Sequence, residues 1–405
     1  MAGDDREETL ILVFESGRWV RHRTKEGSFL IGATRRRQTK ALAPNRPVIL
    51  RFCWRLLRIF CWELLAPTQG WVKFTSLIDA ARFRSIAPLN DMHIPDGFLD
   101  VKTATAAAVL STAGIGYALY QLRRDLPARR VPLLGLGAAF VFAAQMVNFP
   151  VAGGTSGHLI GAGLIAALLG TPAAVIVMTT VLLAQCFLFA DGGVTALGAN
   201  IFNMGIVAPV VALAVFRTVQ RLLPGVRGQV AALAFAGWCS TMVAAIACAG
   251  QLAWSGTVAW SVAFPAMAGV HMLIGLGEGA ISAMVYYAVV RTRPDIAAKT
   301  PATSLGGFVG YGLLVALGVA LFAAPFACPW PDGLEAVAAK LGFEHRAAEA
   351  APAWLSDYRF PGVASEGLST ALAGVIGALV VFGLAVIFSR IVVRKPSEAQ
   401  PANEV

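Results

Sequence analysis

Apolar residues fall in nine long runs after residue 100, near 101–121, 131–149, 157–170, 172–190, 200–216, 229–253, 265–290, 304–326 and 367–389. Polar residues gather in the short segments between them. A helix needs about 20 predominantly apolar residues to cross a bilayer, so the pattern predicts nine spanning helices. The run at 157–170 is short for a crossing and is expected either to tilt or to begin within a re-entrant loop. The stretch from Thr292 to Ser304 is polar and carries two prolines, as a linker does. It divides the pattern into residues 92–293, with seven spans, and residues 304–393, with two spans around an external segment. The expected fold class is therefore all-α: a polytopic membrane helix bundle with a two-span C-terminal accessory domain.

Residues 1–91 have a different character. No run there is long and uncharged enough to cross a membrane. Val48–Leu65 comes closest, but Arg51, Arg55, Arg58 and Glu63 interrupt it, and the three arginines suit one face of an interfacial amphipathic helix. The run Arg35-Arg36-Arg37 has no apolar core behind it at the spacing of a twin-arginine signal. This basic extension is read as a start placed upstream of the working one, with Met92 the initiator. A leader that is removed and a retained extension are the alternatives.

Composition agrees with the pattern. Of 405 residues 57% are hydrophobic and only 14% charged, with 41 glycines and a mean hydropathy of +0.67. Such a chain exposes apolar side chains to lipid and packs its helices through small residues. The six cysteines form no C-x-x-C pair, and four lie in or beside apolar runs, which favours buried thiols over a disulfide framework or a zinc site.

The net charge of +10 is uneven. Residues 1–91 hold 16 Lys/Arg against 9 Asp/Glu. With nine spans and Met92 outside, internal loops hold 13 of the 17 later cations, and the positive-inside rule selects that orientation. The cations thus report topology rather than a nucleic-acid partner. The same orientation puts His93 and His158 on the outer face, where a solute would arrive.

Only five histidines exist, at positions 22, 93, 158, 271 and 345. Taken alone, a histidine in a loop is more often a solvated or core-satisfied residue than a ligand. His271 and Glu278 lie seven residues apart on one face of the seventh run. Ionisable groups in a bilayer face the bundle interior, so the pair serves either transport or hydrogen bonding between helices, the latter favoured. No H-E-x-x-H is present, and no G-x-x-x-x-G-K-[ST].

The stretch Met92-His93-Ile94-Pro95-Asp96-Gly97-Phe98-Leu99-Asp100 closely resembles the mature amino terminus of the CbiM/NikM family, substrate-capturing membrane components of energy-coupling-factor importers for cobalt and nickel. The glycine-rich loop Asn148–His158 resembles that family's signature loop, and Asp191–Asn200 resembles a second one. Pro331-Asp332-Gly333-Leu334-Glu335, followed by Asp357-Tyr358-Arg359-Phe360-Pro361-Gly362, resembles the PDGLE domain, an accessory component of such importers, here fused to the main one. Together these likenesses cover everything after residue 91.

The resemblance implies that the Met92 amine, the His93 backbone nitrogen, the His93 imidazole and the His158 imidazole bind one ion. Four nitrogens in a plane suit Ni²⁺ or Cu²⁺ and accommodate Co²⁺, whereas Mg²⁺ and Ca²⁺ prefer oxygen. No cofactor is implied beyond the transported ion. Gln145 and Asn148 are expected to hydrogen-bond the imidazoles, with Ser156, Asn200 and His271 around them. For Gln145 and Asn148 the rival reading is polar contact between helices; for Asn200 it is a cap or turn role.

The small stripe Ala104, Ala108, Thr112 and Gly116 fits a contact with a coupling subunit or ordinary packing. The implied partners are that coupling membrane protein, separate ABC ATPase subunits and lipid. Two rivals predict different sites. A membrane metalloenzyme would recruit His271 and Glu278 beside an open metal position. A vitamin importer would have an aromatic-lined outer cavity.

Overall fold

The first long helix starts where an extended segment ends, at Asp100. Its side chain accepts a hydrogen bond from the Thr103 backbone N–H at 2.9 Å, satisfying a donor that the first turn leaves orphaned. Hydrogen bonding from Thr103 holds the Asp100 carboxyl below the usual carboxylate range. In the computed structural model the described residues are 9–15, 18–24, 93–298, 304–348 and 352–392. Main-chain contacts divide the chain into Met1–Lys73 and Phe74–Val405. The first unit contains an antiparallel hairpin, β1 (Thr9–Glu15) with β2 (Arg18–Thr24), in which Val13 pairs Val20. Met92 and the segment Val48–Leu65 lie outside the described residues.

The second unit is helical. Its elements are α1 (Val101–Asp125), α2 (Val131–Gln145), a small hairpin of β3 (Phe149–Val151) and β4 (Thr155–Gly157), α3 (Ala162–Leu169) and α4 (Thr171–Phe189). There follow α5 (Leu197–Gln220), α6 (Gly225–Trp254), α7 (Trp260–Thr292), α8 (Gly306–Phe326), α9 (Gly333–Leu341) and α10 (Glu366–Val392).

Among the described residues six helices are long and apolar enough to cross a membrane: α4, α5, α6, α7, α8 and α10. The all-α membrane bundle stands; of the three other expected spans α1 is long enough at 25 residues but less apolar, and α2 and α3 are short. The 15 residues of α2 extend only about 22 Å and the eight of α3 about 12 Å, against a hydrocarbon core of about 30 Å.

Both shortfalls have local causes. The run 131–149 loses its helix before Pro150, which lacks the N–H a helix needs. The run 157–170 becomes helical only at Ala162, because Gly161 is held in the left-handed region at φ +76°. The non-helical backbone between α2 and α3 is enclosed by other helices, the condition under which it is tolerated at membrane depth. The short-span expectation for 157–170 thus resolves as a loop leading into a short helix.

The two parts distinguished in sequence share one core. Leu134 and Phe142 of α2, Phe189 of α4, Ala316 of α8 and Val381 of α10 belong to a single buried cluster. Helix α10 lies against α2, and a Cβ at Gly135 would fall 2.6 Å from Val386. Helices α6 and α7 form the most extensive pair. Their backbones approach at Gly237 and Gly279, where a Cβ on Gly237 would stand 3.0 Å from the Gly279 Cα. Such small-residue contacts take the place of a hydrophobic driving force that lipid does not supply. Gly279→Val puts its branched side chain against the Ala234 carbonyl and should cost about 1–3 kcal/mol through overpacking. Thermal unfolding of the purified full chain, compared with wild type, checks this.

Candidate metal centre

The segment carrying His93 is fixed by side chains from distant loops. Asn200 clasps the next residue twice: its Oδ1 accepts from Ile94 N at 3.0 Å and its Nδ2 donates to Ile94 O at 3.1 Å. Gly193 N donates to the same carbonyl at 2.9 Å. Asp96 accepts from Thr195 N at 2.7 Å and Val194 N at 3.1 Å, and also from the Thr195 hydroxyl. Phe98 is buried edge-on to Phe343 with centroids 5.1 Å apart. Gly192 sits at φ +87°, and a Cβ there would meet the His93 Cβ at 2.9 Å, so close passage of His93 requires glycine.

The His93 side chain is only 3% exposed. Its Nε2 lies 3.0 Å from Gln185 Oε1 and 3.9 Å from Asp191 Oδ2. Gln185 Nε2 donates to Gln145 Oε1 at 2.9 Å, and Gln145 Nε2 donates to the Ile160 carbonyl at 3.0 Å. That carbonyl can only accept, so it orients both amides in turn and presents an acceptor oxygen to His93. The His93 proton therefore sits on Nε2, and the lone pair is on Nδ1. Among the described residues Nδ1 is buried without a hydrogen-bond partner, an expensive condition for a polar atom that has no task.

His158 follows β4, and its ring lies edge-on to His93 with centroids 5.8 Å apart. Its Nδ1 faces the Leu159 carbonyl at 3.3 Å. The backbone just beyond is held by Glu278 of α7, whose Oε2 accepts from Ile160 N at 2.6 Å and Oε1 from Gly161 N at 3.1 Å. Glu278 thus serves the hydrogen-bonding role favoured for it, toward a loop and not a second helix.

His271 bonds within its own helix, Nδ1 to the Met267 carbonyl at 2.8 Å, which leaves the ring's lone pair on Nε2. It lines the same cavity of about 90 Å³ as His93, His158, Asn200 and Asp332. A Cβ on Gly333 would stand 3.0 Å from His271 Nε2, so the PDGLE glycine lets the C-terminal segment pack on the ring.

The remaining expected residues do other work. Ser156 docks the C-terminal region: its N donates to Pro331 O at 2.8 Å and its Oγ to Trp330 O at 2.7 Å. Asn148 accepts from Cys328 N at 2.9 Å through its backbone carbonyl, so neither it nor Gln145 bonds an imidazole directly. Asn203 pairs with Gln251 through both amide groups, within a stretch of α5, Ile201–Val207, that widens to π-helix.

Sequence reasoning did not single out Gln185, Asp332 or Tyr358 for the site. Gln185 had a usable signal, a lone amide in the apolar run of α4. Asp332 caps α9 by accepting from Glu335 N at 2.8 Å, and burial pushes its carboxyl well above the usual carboxylate range.

Among the described residues no group of three or more His, Cys, Asp or Glu side chains is arranged to hold a metal. Any ion shared by His93 and His158 must therefore take further donors from elsewhere, main-chain nitrogen being the one the amino-terminal segment offers. The cavity, at about 90 Å³, is smaller than the about 300–1,000 Å³ usual for pockets that take organic ligands. No Phe, Tyr or Trp is among its lining residues.

Comparison with known proteins decides the family. The profile described as the cobalt uptake substrate-specific transmembrane region, CbiM, matches residues 93–296, and the PDGLE domain matches residues 306–394. The chain belongs to the CbiM family, with a PDGLE domain fused behind it.

An Archaeoglobus fulgidus relative with the provisional name fused nickel transport protein NikMN is 36% identical over 304 residues, which is 74% of this chain and 98% of that protein. The fused nickel transport protein NikMN of Rhodobacter capsulatus is 36% identical over 247 residues, covering 56% and 71% respectively. Cobalt transport protein CbiM 1 of Pelobacter propionicus is 43% identical over 129 residues, covering 31% and 57%. A crystal structure of a truncated transition metal transporter aligns at 33% identity with a TM-score of 0.46, over 49% of this chain and 99% of its own.

The CbiM-family chain is accordingly a multi-pass membrane component of a metal-ion transport system and not an enzyme. Glu278→Ala leaves two buried N–H groups without an acceptor and should cost about 2–4 kcal/mol. Glu278→Gln, which keeps one acceptor oxygen, should cost less. Melting temperatures of the metal-free proteins test the order.

Proposed function

We propose that this CbiM-family chain captures Ni²⁺ or Co²⁺ at the outer face and passes it inward as the substrate-specificity component of an energy-coupling-factor ABC importer. The observation that carries the reading is His93 Nδ1, a buried lone pair with no hydrogen-bond partner among the described residues, beside a second imidazole. An imidazole nitrogen sits about 2 Å from a divalent ion, and the ring centre roughly 1 Å further, so two rings on one ion have centres about 4–6 Å apart. The observed 5.8 Å is wider than the about 4 Å of neighbouring ligands in a plane, so the two rings close by about 1–2 Å on a shared ion.

The proposed ligands are the Met92 amine, the His93 backbone nitrogen, His93 Nδ1 and His158. Amine, backbone nitrogen and imidazole form fused chelate rings on one ion, and His158 completes a plane of nitrogens suited to Ni²⁺. The names of the fused relatives favour nickel over cobalt. The chain carries no G-x-x-x-x-G-K-[ST], so ATP hydrolysis falls to separate ATPase subunits, joined through a coupling membrane protein. The ion is cargo and leaves chemically unchanged.

His93→Ala and His158→Ala should each abolish radiolabelled Ni²⁺ or Co²⁺ uptake by cells expressing the importer while the protein still accumulates in the membrane. Wild-type uptake by either variant would overturn the site. Adding one alanine before a Met92 amino terminus should cripple binding as well, because the amine leaves the chelate ring.

Affinity should also depend on pH in one direction. The amine and the amide must shed protons to bind. Calorimetric titration should therefore show binding weakening as pH falls. Affinity independent of pH between 5 and 8 would contradict a nitrogen site.

A further inference from the structure

Tyr358 belongs to the PDGLE region, yet its hydroxyl reaches the hydrogen-bond chain behind His93. The Oη–H donates to Asp191 Oδ2 at 2.5 Å, and Oη accepts from Gln185 Nε2 at 3.1 Å. A hydroxyl has one proton and spare lone pairs, so both bonds are served at once. Gln185 then spends its two N–H groups on Tyr358 Oη and Gln145 Oε1. Its carbonyl oxygen is left for His93 Nε2. Asp191, engaged by the hydroxyl, stands 3.9 Å from His93 Nε2. Without that bond, carboxylate and amide would compete for the same Nε2–H, and the ring would lose its single orientation.

The position is held at a conformational cost. Asp357 and Tyr358 are consecutive left-handed residues, each at φ +56°, a region that bulky residues rarely enter. Such strain persists where the surroundings over-determine it, and it gathers at functional sites. Here the ring stacks on Phe189 at 4.8 Å and lies tilted against Phe142 at 6.1 Å. Just before it, Leu355 N donates to the Leu188 carbonyl of α4 at 2.9 Å. The aromatic packing does not need the hydroxyl.

We infer that Tyr358 is a positioning residue for the ion site. Through Gln185 and Asp191 its hydroxyl fixes the His93 ring in the orientation that offers Nδ1 to the metal. The fused C-terminal region thereby takes part in ion capture chemically. The inference rests on reading His93 as an ion ligand.

The test uses the full chain in detergent with NiCl₂ as probe. Tyr358→Phe keeps the stacked ring and removes only the hydroxyl. It should weaken nickel binding about 10- to 100-fold, the usual loss when a partner behind a metal ligand is removed, and should alter the visible absorption of bound Ni²⁺. In ¹⁵N spectra of the metal-free wild type labelled at histidine, the His93 proton should sit on Nε2; in the variant it should stay there, with its resonance shifted and broadened as Gln185 and Asp191 compete to accept it. A purely structural role would lower the melting temperature and leave both spectra alone.

Wild-type affinity with an unchanged His93 ¹⁵N spectrum in Tyr358→Phe overturns the inference, as does a wild-type His93 protonated on Nδ1. Should that variant fail to fold, Asp191→Asn weakens the same hydroxyl bond without touching the ring stack and is judged in the same way. His93→Ala, measured alongside, separates the two claims. If it binds nickel normally, the ion-site reading fails and takes this inference with it. If it loses nickel while Tyr358→Phe keeps it, only the positioning role fails.

Discussion

Buried main-chain N–H groups that cannot reach water must find acceptors inside the protein, and in a membrane no other recourse exists. The backbone around both histidines is non-helical, so helix formation cannot satisfy it. Glu278 accepts from Ile160 and Gly161, Asn200 from Ile94, and Pro331 O from Ser156 N. Each solution recruits a residue from a remote part of the chain. The two histidine segments are consequently tied at once to α7, to the first turn of α5 and to the PDGLE region. A buried carboxylate is costly in such a place, and Glu278 is tolerated because each of its oxygens receives a main-chain proton.

The amide relay beneath His93 follows from the same constraint. An acceptor-only carbonyl at Ile160 dictates the orientation of Gln145, which dictates that of Gln185, which dictates the tautomer of His93. Direction passes along the relay because each amide has one donor end and one acceptor end. The loop that carries His158 thus sets the protonation of His93, its proposed co-ligand. That coupling lies in the hydrogen-bond pattern and would survive any choice between nickel and cobalt.

The PDGLE region is joined to this arrangement at two places and from two sides. Its Trp330–Asp332 backbone receives Thr155 and Ser156 of the His158 hairpin. Its Tyr358 hydroxyl meets the relay behind His93. Between these contacts α9 starts at Asp332 with a reciprocal capping box to Glu335. Fusion keeps the two regions at a fixed stoichiometry, and their shared core through α2 and α10 makes the accessory region part of the same packed body.

The sequence alone determined the membrane class and the helical fold, because each rests on residue type or short-range pattern. Apolar runs report bilayer solvation wherever they fall, and the segment from His93 to Asp100 carries its own signature. The number of crossings was not legible in this way. A run of apolar residues looks the same whether it meets lipid or is wrapped by other helices, and only packing showed α2 and α3 to be short and enclosed. Asn200 was legible as a candidate because it stands at the end of a glycine-rich loop, while its grip on Ile94 was not. Gln185, Asp332 and Tyr358 reach the site across separations of 92 or more residues, which no local pattern encodes. Tertiary structure alone decided which polar groups share one enclosed space, since a buried donor selects its partner by proximity and direction in space and not by distance along the chain.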